Sequence, residues 1–501
     1  MSRGMFDLSS ASNATVKIDL VDDVIPTSAT KASRVKRETL FNRFRDRLIH
    51  NPSLDRTLVS FQANKQTPFY GWFKYREGFS RQLVQYLLKE LMPQPGVLLD
   101  PFAGAGSALF AANELGWETQ GFEVLPVGIY AMQARLAVER IDVKAFQEAV
   151  AQILFVDFAE HYDEQFAFKH IAITSGAYSQ AEERQLIGYI VFCKRHVSNL
   201  DIQHLLLYAA FCILEDISYT RKDGQYLRWD ARSGRAQGKK SFNKGYIFSF
   251  REAISNKLNQ MVNDLIVQPN QRSLSQEDII EQASRPTPII STGSCLKLLP
   301  TIPDNSVNFV LTSPPYANRY DYTRTYALEL VYLGYGNEEV KQLRQDMLSC
   351  TVENRDKRTQ LHEYYTQIGR DANFRRIEEV FNHQEALQEV LSILDTYRDT
   401  GVLNNSNIPR LVRNYFYEMC FVIHELARLL QPGGIIAMVN DNVRYAGEEV
   451  PVDLILSDMA EKFGLTARYI WTLGRGKGNS SQQMGNHGRT ELRKCVYIWE
   501  K

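Results

Sequence analysis

Apolar positions recur along this chain in two rhythms. From Ser80 to Leu91 they fall at Leu83, Val84, Leu87, Leu88 and Leu91, the spacing of one helix face, until Pro93 and Pro95 end the pattern. Val97-Leu98-Leu99-Asp100 reads as a short buried strand, the segment 101–106 as a turn, and Ser107 to Leu115 as an Ala/Leu-rich helix stopped by Gly116. Thr119 to Glu123 predicts a second strand and completes a β-α-β unit. Strand patterns return at Pro288 to Ser291 and Val307 to Thr312, and later at Gly434 to Asn440, Thr466 to Leu473 and Lys494 to Trp499; Phe416 to Leu430 predicts a helix. Between them, residues 126–285 and 336–400 are mostly helical, apart from a basic stretch at 219–246. No internal repeat is visible. The strands at both ends are therefore expected to share one α/β sheet, with two helical insertions between them.

Composition narrows the class. With 44% hydrophobic and 11% aromatic residues in 501, the chain can bury a sizeable core, which excludes disorder as its main state. The longest apolar run, Leu205 to Leu214, is half of the roughly 20 residues a membrane-spanning helix needs. The N-terminal residues lack the apolar stretch of a secretory signal, so a cytoplasmic location is expected. Six cysteines lie too far apart to form a Cys-x-x-Cys pair; they are expected to be reduced core residues, and no metal site is expected. Basic and acidic residues balance at 58 each, which argues against coating nucleic acid through bulk charge. Charge is patchy, however. Lys31 to Leu48 carries seven basic residues against two acids, and Tyr219 to Lys244 eight against two, so both are candidate phosphate-binding faces.

Two constellations carry the chemistry. Asp100-Pro-Phe-Ala-Gly-Ala-Gly106 lies between a strand and a helix, where glycine admits positive φ and lets a ligand approach the backbone. Glu123, ending the next strand, stands where such folds hold a ribose. A third glycine, expected of a dinucleotide site, is missing, which disfavours nicotinamide cofactors. Ser313-Pro-Pro-Tyr316 follows a buried strand. Its prolines remove two amide donors, leave carbonyl acceptors free and fix where Tyr316 points. Acceptors beside an aromatic face suit a planar heterocycle bearing an exocyclic amine.

Together these motifs resemble the DNA amino-methyltransferases, which methylate exocyclic base nitrogens using S-adenosylmethionine, and in particular those of restriction-modification systems. The resemblance covers about 70–125, 288–335 and 410–501. It implies an α/β fold built on a Rossmann-like class I methyltransferase sheet with helical insertions. It assigns cofactor contacts to Asp100, Pro101, Phe102, Ala103, Gly104, Gly106 and Glu123, with Phe79 and Ser80 near the methionine end and Ser294 and Cys295 on the later approach. Many relatives carry Gly-Asp where this chain has Gly293-Ser294. Catalysis falls to Ser313, Pro314, Pro315 and Tyr316. Ser-Pro-Pro-Tyr is typical of cytosine-N4 enzymes. Adenine N6, or an RNA base, stays open as the alternative. No Pro-Cys dipeptide is present, which fits amine methylation and excludes cytosine C5, where an activated cysteine is needed. The target base would be flipped out of the duplex.

The implied partner is double-stranded DNA, with a cognate restriction nuclease as a further candidate. Arg221, Lys222, Arg228, Trp229 and Arg232 in the basic stretch, and Arg319 and Arg324 after the Pro-Pro turn, are the expected DNA contacts. Tyr226 and Trp229, interleaved among these cations, strengthen that reading, and 318–326 is expected to line the base pocket. The expected division is a flexible arm and basic helix (1–60), the first part of the core (61–130), a helical target-recognition insertion (131–286), the catalytic segment (287–335), a second helical insertion (336–405) and the remaining core (406–501). The segment 475–489 reads as a loop near the site.

Overall fold

Alternation of buried side chains builds the sheet. Leu98 and Leu99, Phe309 and Val310, Ile435 and Ile436, and Val496 and Tyr497 send successive side chains to opposite faces, each into a different core. The computed structural model describes residues 34–224, 226–237, 241–271, 285–473 and 492–501. Its strands, in chain order, are β1 (Leu48–His50), β2 (Val97–Asp100), β3 (Glu118–Glu123), β4 (Thr220–Asp223), β5 (Tyr226–Trp229) and β6 (Ile289–Thr292). They continue with β7 (Val307–Thr312), β8 (Leu430–Asp441), β9 (Val443–Tyr445), β10 (Glu448–Val450), β11 (Thr466–Thr472) and β12 (Lys494–Glu500).

Eight of these form one sheet in the order β1-β11-β12-β8-β7-β2-β3-β6. All neighbours are parallel except at β12, which runs antiparallel to both β11 and β8. The carboxyl ends of β2, β3, β6, β7 and β8 therefore share one edge, and β12 begins there. Helices Arg81–Leu91 and Ser107–Asn113 cover one face. Helices Ile408–Leu429 and Val452–Lys462 cover the other, backed by helices Arg358–Gln367, Asp371–His383 and Glu385–Asp399 from the second insertion.

The first insertion builds a separate core, which it shares with residues 69–75 and 326–347. Helices Pro126–Val138, Val143–Ile153, Gln180–His196, Leu200–Cys212 and Phe250–Gln271 enclose it. The apolar run at 205–214 is buried inside, and no helix among the described residues is long and apolar enough to cross a membrane. Five of the six cysteines are buried and all are free thiols. The basic stretch contains the antiparallel hairpin β4–β5, where local pattern predicted only an interruption. Residues 1–33, including the expected arm, and 474–491, including the expected loop, lie outside the described residues.

The basic N-terminal helix, Val35–Phe44, is not a phosphate-binding face. Its cations face acids of the second insertion and of the C-terminal core. Arg37 is buried and donates to Glu389 at 2.8 Å and also to Glu448, while Arg43 pairs with Asp458 and Glu461 and Lys36 with Glu385. Charges excess in one segment are neutralised by another about 400 residues away. We expect Arg37→Ala to cost about 3–5 kcal/mol in chemical denaturation, because it strands two carboxylates in the interior. Arg45→Ala, on the exposed side, should stay within about 0.5 kcal/mol.

Candidate active site

The turn after β2 is shaped by two left-handed glycines. Gly104 has φ +54° and Gly106 φ +82°, and Gly106 caps the helix Ser107–Asn113. A Cβ on Gly104 would lie 2.8 Å from the Tyr75 ring, and one on Gly128 would lie 2.3 Å from the Gly104 carbonyl oxygen. The loop is thus pressed between Tyr75 and the start of helix Pro126–Val138.

Two buried carboxyls fix this turn. Asp100 accepts from Thr312 Oγ1 at 2.7 Å and from the Phe102 amide at 3.0 Å. Glu123 accepts from the amides of Gly104 at 2.6 Å, Val124 at 2.8 Å and Leu125 at 2.6 Å. Burial nevertheless pushes both acids up to about 7, because desolvation outweighs these bonds.

The Thr312–Asp100 bond brings the second motif alongside the first, since Ser313 is the next residue. Ser313 and Pro315 open into one cleft of about 750 Å³ with Asp100, Gly104 and Glu123. Pro101, Phe102, Ala103, Phe79, Ser294 and Cys295 also line it. Pro314 is buried within the turn. Tyr316 stands behind the lining, half-buried, with the Lys494 ammonium 5.8 Å from its ring centre. Burial raises its hydroxyl pKa, while the nearby Lys494 opposes the shift.

Some expected contacts fall elsewhere. Ser80 is buried, donating to the Leu58 carbonyl at 2.6 Å and capping helix Arg81–Leu91 through the Leu83 amide at 3.1 Å, so its hydroxyl is engaged away from the cleft. Gly106 packs inward, where a Cβ would meet Met132 and Phe110 at 2.8 Å.

The cationic residues divide sharply. Arg221 is exposed and Arg228 is 42% exposed, 3.3 Å from Asp223. Lys222, expected at the DNA surface, is instead in the interior; it pairs with buried Glu329 and lies 4.4 Å from the Tyr326 ring centre. Arg232 is held by Asp230 at 2.7 and 2.8 Å and by the Gly245 carbonyl, and Trp229 is covered by Arg235 at 3.6 Å. Arg319 bonds Asn404 at 3.1 Å, and Arg324 pairs with Asp321 at 3.2 Å and Glu353 at 3.0 Å. Alternation along β4 explains Lys222: its neighbour Arg221 points out, so it points in.

Tyr75 and Glu77 also line the cleft, from segment 73–80, which resembles the family's segment near the methionine end of the cofactor, as does Tyr322 from the expected 318–326 stretch. Asp346 and Met347, from the second insertion, had no local signal in the sequence. Tyr326 from the 318–326 segment stacks on Tyr75 at 5.3 Å and donates to Glu77 at 2.5 Å. Asp441 and Lys494, paired across β8 and β12, reach the same sheet edge beside Tyr316.

The lining combines aromatic walls with four carboxyls, Glu77, Asp100, Glu123 and Asp346, and among the described lining residues there is no lysine, arginine or histidine. Such a surface suits a ligand with a flat ring and positive charge and repels polyphosphates. No cluster among the described residues could hold a metal ion.

A mostly parallel sheet with one antiparallel strand, and two motif turns meeting at its carboxyl edge, defines a Rossmann-like methyltransferase fold. No family model and no solved structure matches the chain. Curated proteins do. The Type II methyltransferase M.AvaI of Nostoc sp. (strain PCC 7120 / SAG 25.82 / UTEX 2576) is 43% identical over 467 residues, 93% of each chain, and the M.AvaI of Anabaena variabilis matches equally. The Type II methyltransferase M.BsoBI of Geobacillus stearothermophilus is 37% identical over 484 residues, 94% of this chain and 93% of that protein. The chain belongs to this family of Type II restriction-modification methyltransferases.

A pH prediction follows from the two carboxyls. A folded-state pKa near 7, above the ordinary value of 3.8 for Asp100, means that the native protein retains a proton the unfolded chain has lost. Stability therefore declines as pH rises from about 4 to about 7 and then levels off. Asp100→Asn removes one of the two groups, so its Tm should fall less than the parent's between about pH 5 and pH 8.

Proposed function

We propose that this protein transfers a methyl group from S-adenosylmethionine to the exocyclic N4 amine of a cytosine flipped out of double-stranded DNA. The observation that carries the reading is the shared cleft: Ser313 and Pro315 open onto the space lined by Asp100, Gly104 and Glu123. S-adenosylmethionine, when bound, supplies an electrophilic methyl on a positively charged sulfur. The four cleft carboxyls and their aromatic neighbours would favour that charge and the adenine ring.

The remaining chemistry belongs to the chain. A cytosine amine is a poor nucleophile because its lone pair is delocalised into the ring. Ser313 Oγ and the Pro314 carbonyl would accept its two N–H groups, favouring a pyramidal nitrogen and easing departure of the proton. Neither proline has an N–H to compete for those acceptors. Tyr316 would stack on the flipped base, a contribution of about 1–3 kcal/mol, with Lys494 and Asp441 setting the ring's position. Serine in place of a carboxylate leaves the acceptor end short and uncharged, which favours cytosine N4 over adenine N6.

Nucleoside mass spectrometry of DNA treated with the enzyme and labelled cofactor should detect N4-methylcytosine. N6-methyladenine alone would overturn the choice of base, and labelled RNA without labelled DNA the choice of polymer. On the recognition side, the exposed Arg221 and Arg228 are the surface cations of the hairpin. Replacing both with Ala should weaken DNA binding and lower the slope of log affinity against log salt by about two. An unchanged slope would place DNA elsewhere.

A further inference from the structure

Three of the four cleft carboxyls are already engaged by fixed donors of the protein. Asp100 is held by Thr312 and the Phe102 amide, Glu123 by three backbone amides, and Glu77 by the Tyr326 hydroxyl. Asp346 differs. It is the last residue of helix Asn337–Asp346, half-buried, and accepts at 3.0 Å from the exposed Gln342 one turn back on its own helix. That partner is a solvent-exposed amide, which can be exchanged for another donor without leaving a buried group unpaired. An acid in the last turn also faces the negative end of the helix dipole, a placement that opposes helix stability. Local rules broken without a structural gain are expected where function requires them.

The chain beyond Asp346 is rigidly anchored. Lys357 donates to the Met347 carbonyl at 2.8 Å and to Glu418 at 2.7 Å, and Glu418 accepts from the Ser349 amide at 2.8 Å. Leu348 packs in the same core as Cys295 and Phe122. The wall carrying Asp346 is thereby fixed beside the wall formed by Gly293, Ser294 and Cys295. Ser294 brings no charge to that wall, so Asp346 is the anion this side of the cleft presents.

We propose that Asp346 is a cofactor-binding residue, its carboxylate accepting a hydrogen bond from an amine of S-adenosylmethionine. The inference rests on the cofactor assignment above. It gives the second insertion a direct part in the site: the insertion completes the cleft as well as backing the sheet. The ligand carries two such amines, one on the adenine ring and one at the amino-acid end, and both offer the N–H donors a carboxylate takes.

Calorimetric titration with S-adenosylhomocysteine, S-inosylhomocysteine and 5′-methylthioadenosine tests the proposal in the full chain. The first has both amines, the second lacks the ring amine and the third lacks the amino-acid end. Asp346→Asn should weaken S-adenosylhomocysteine by about tenfold to a hundredfold with its Tm unchanged, while Glu363→Gln, an exposed neutralisation on the same insertion, should match the parent. The penalty should vanish for S-inosylhomocysteine if the ring amine is the donor, or for 5′-methylthioadenosine if the amino-acid amine is. Equal affinity of parent and Asp346→Asn for all three probes overturns the proposal and leaves the cofactor assignment standing. A penalty equal across the three also overturns it, since it would mean only a change in cleft shape. A parent that binds none of them overturns both.

Discussion

The hydrogen bond from Thr312 to Asp100, 2.7 Å long and fully buried, joins two segments separated by 212 residues. It ties the end of β7 to the end of β2, one residue before each motif turn. Because both strands are parallel neighbours, the glycine turn and the Pro-Pro turn leave the sheet side by side and in the same direction. Everything the cleft can do depends on this adjacency. The bond also stabilises a carboxyl that burial alone would penalise heavily, so the tie is made at an electrostatic cost. That cost would be reduced by a cationic ligand in the cleft.

The two insertions meet the sheet differently. The second shares a continuous core with one sheet face, through helices such as Asp371–His383 and Glu385–Asp399, and reaches the cleft at 346–348. The first packs in a separate core shared with residues 69–75 and 326–347, and a chain of contacts joins it to the site. Gly104 abuts Tyr75, Tyr75 stacks on Tyr326, and Tyr326 lies under the Lys222 ammonium, which Glu329 neutralises. Lys222 belongs to the hairpin whose exposed cations are Arg221 and Arg228. The surface proposed to meet DNA and the turn proposed to meet the cofactor are therefore separated by only a few packed side chains.

The local sequence determined seven strands of the sheet, all but the edge strand β1, together with the glycine turn and the Pro-Pro turn, because alternation, positive φ and missing amides are properties of neighbouring residues. The order of the motifs along the chain, together with the strand ends they follow, was enough to imply one carboxyl edge. Charge could not be read this way. A run of basic residues looks alike whether it faces solvent or an acid far along the chain, and only folding brought Glu389 and Glu448 to Arg37, and Glu329 to Lys222. The same limit hid Asp346 and Met347, whose place in the cleft comes from packing between segments that share no local pattern. Sequence determined which backbone turns could form. The tertiary structure alone decided which charged side chains face the ligand, which face solvent and which are neutralised, because an ion pair is a relation between two positions and neither segment encodes it by itself.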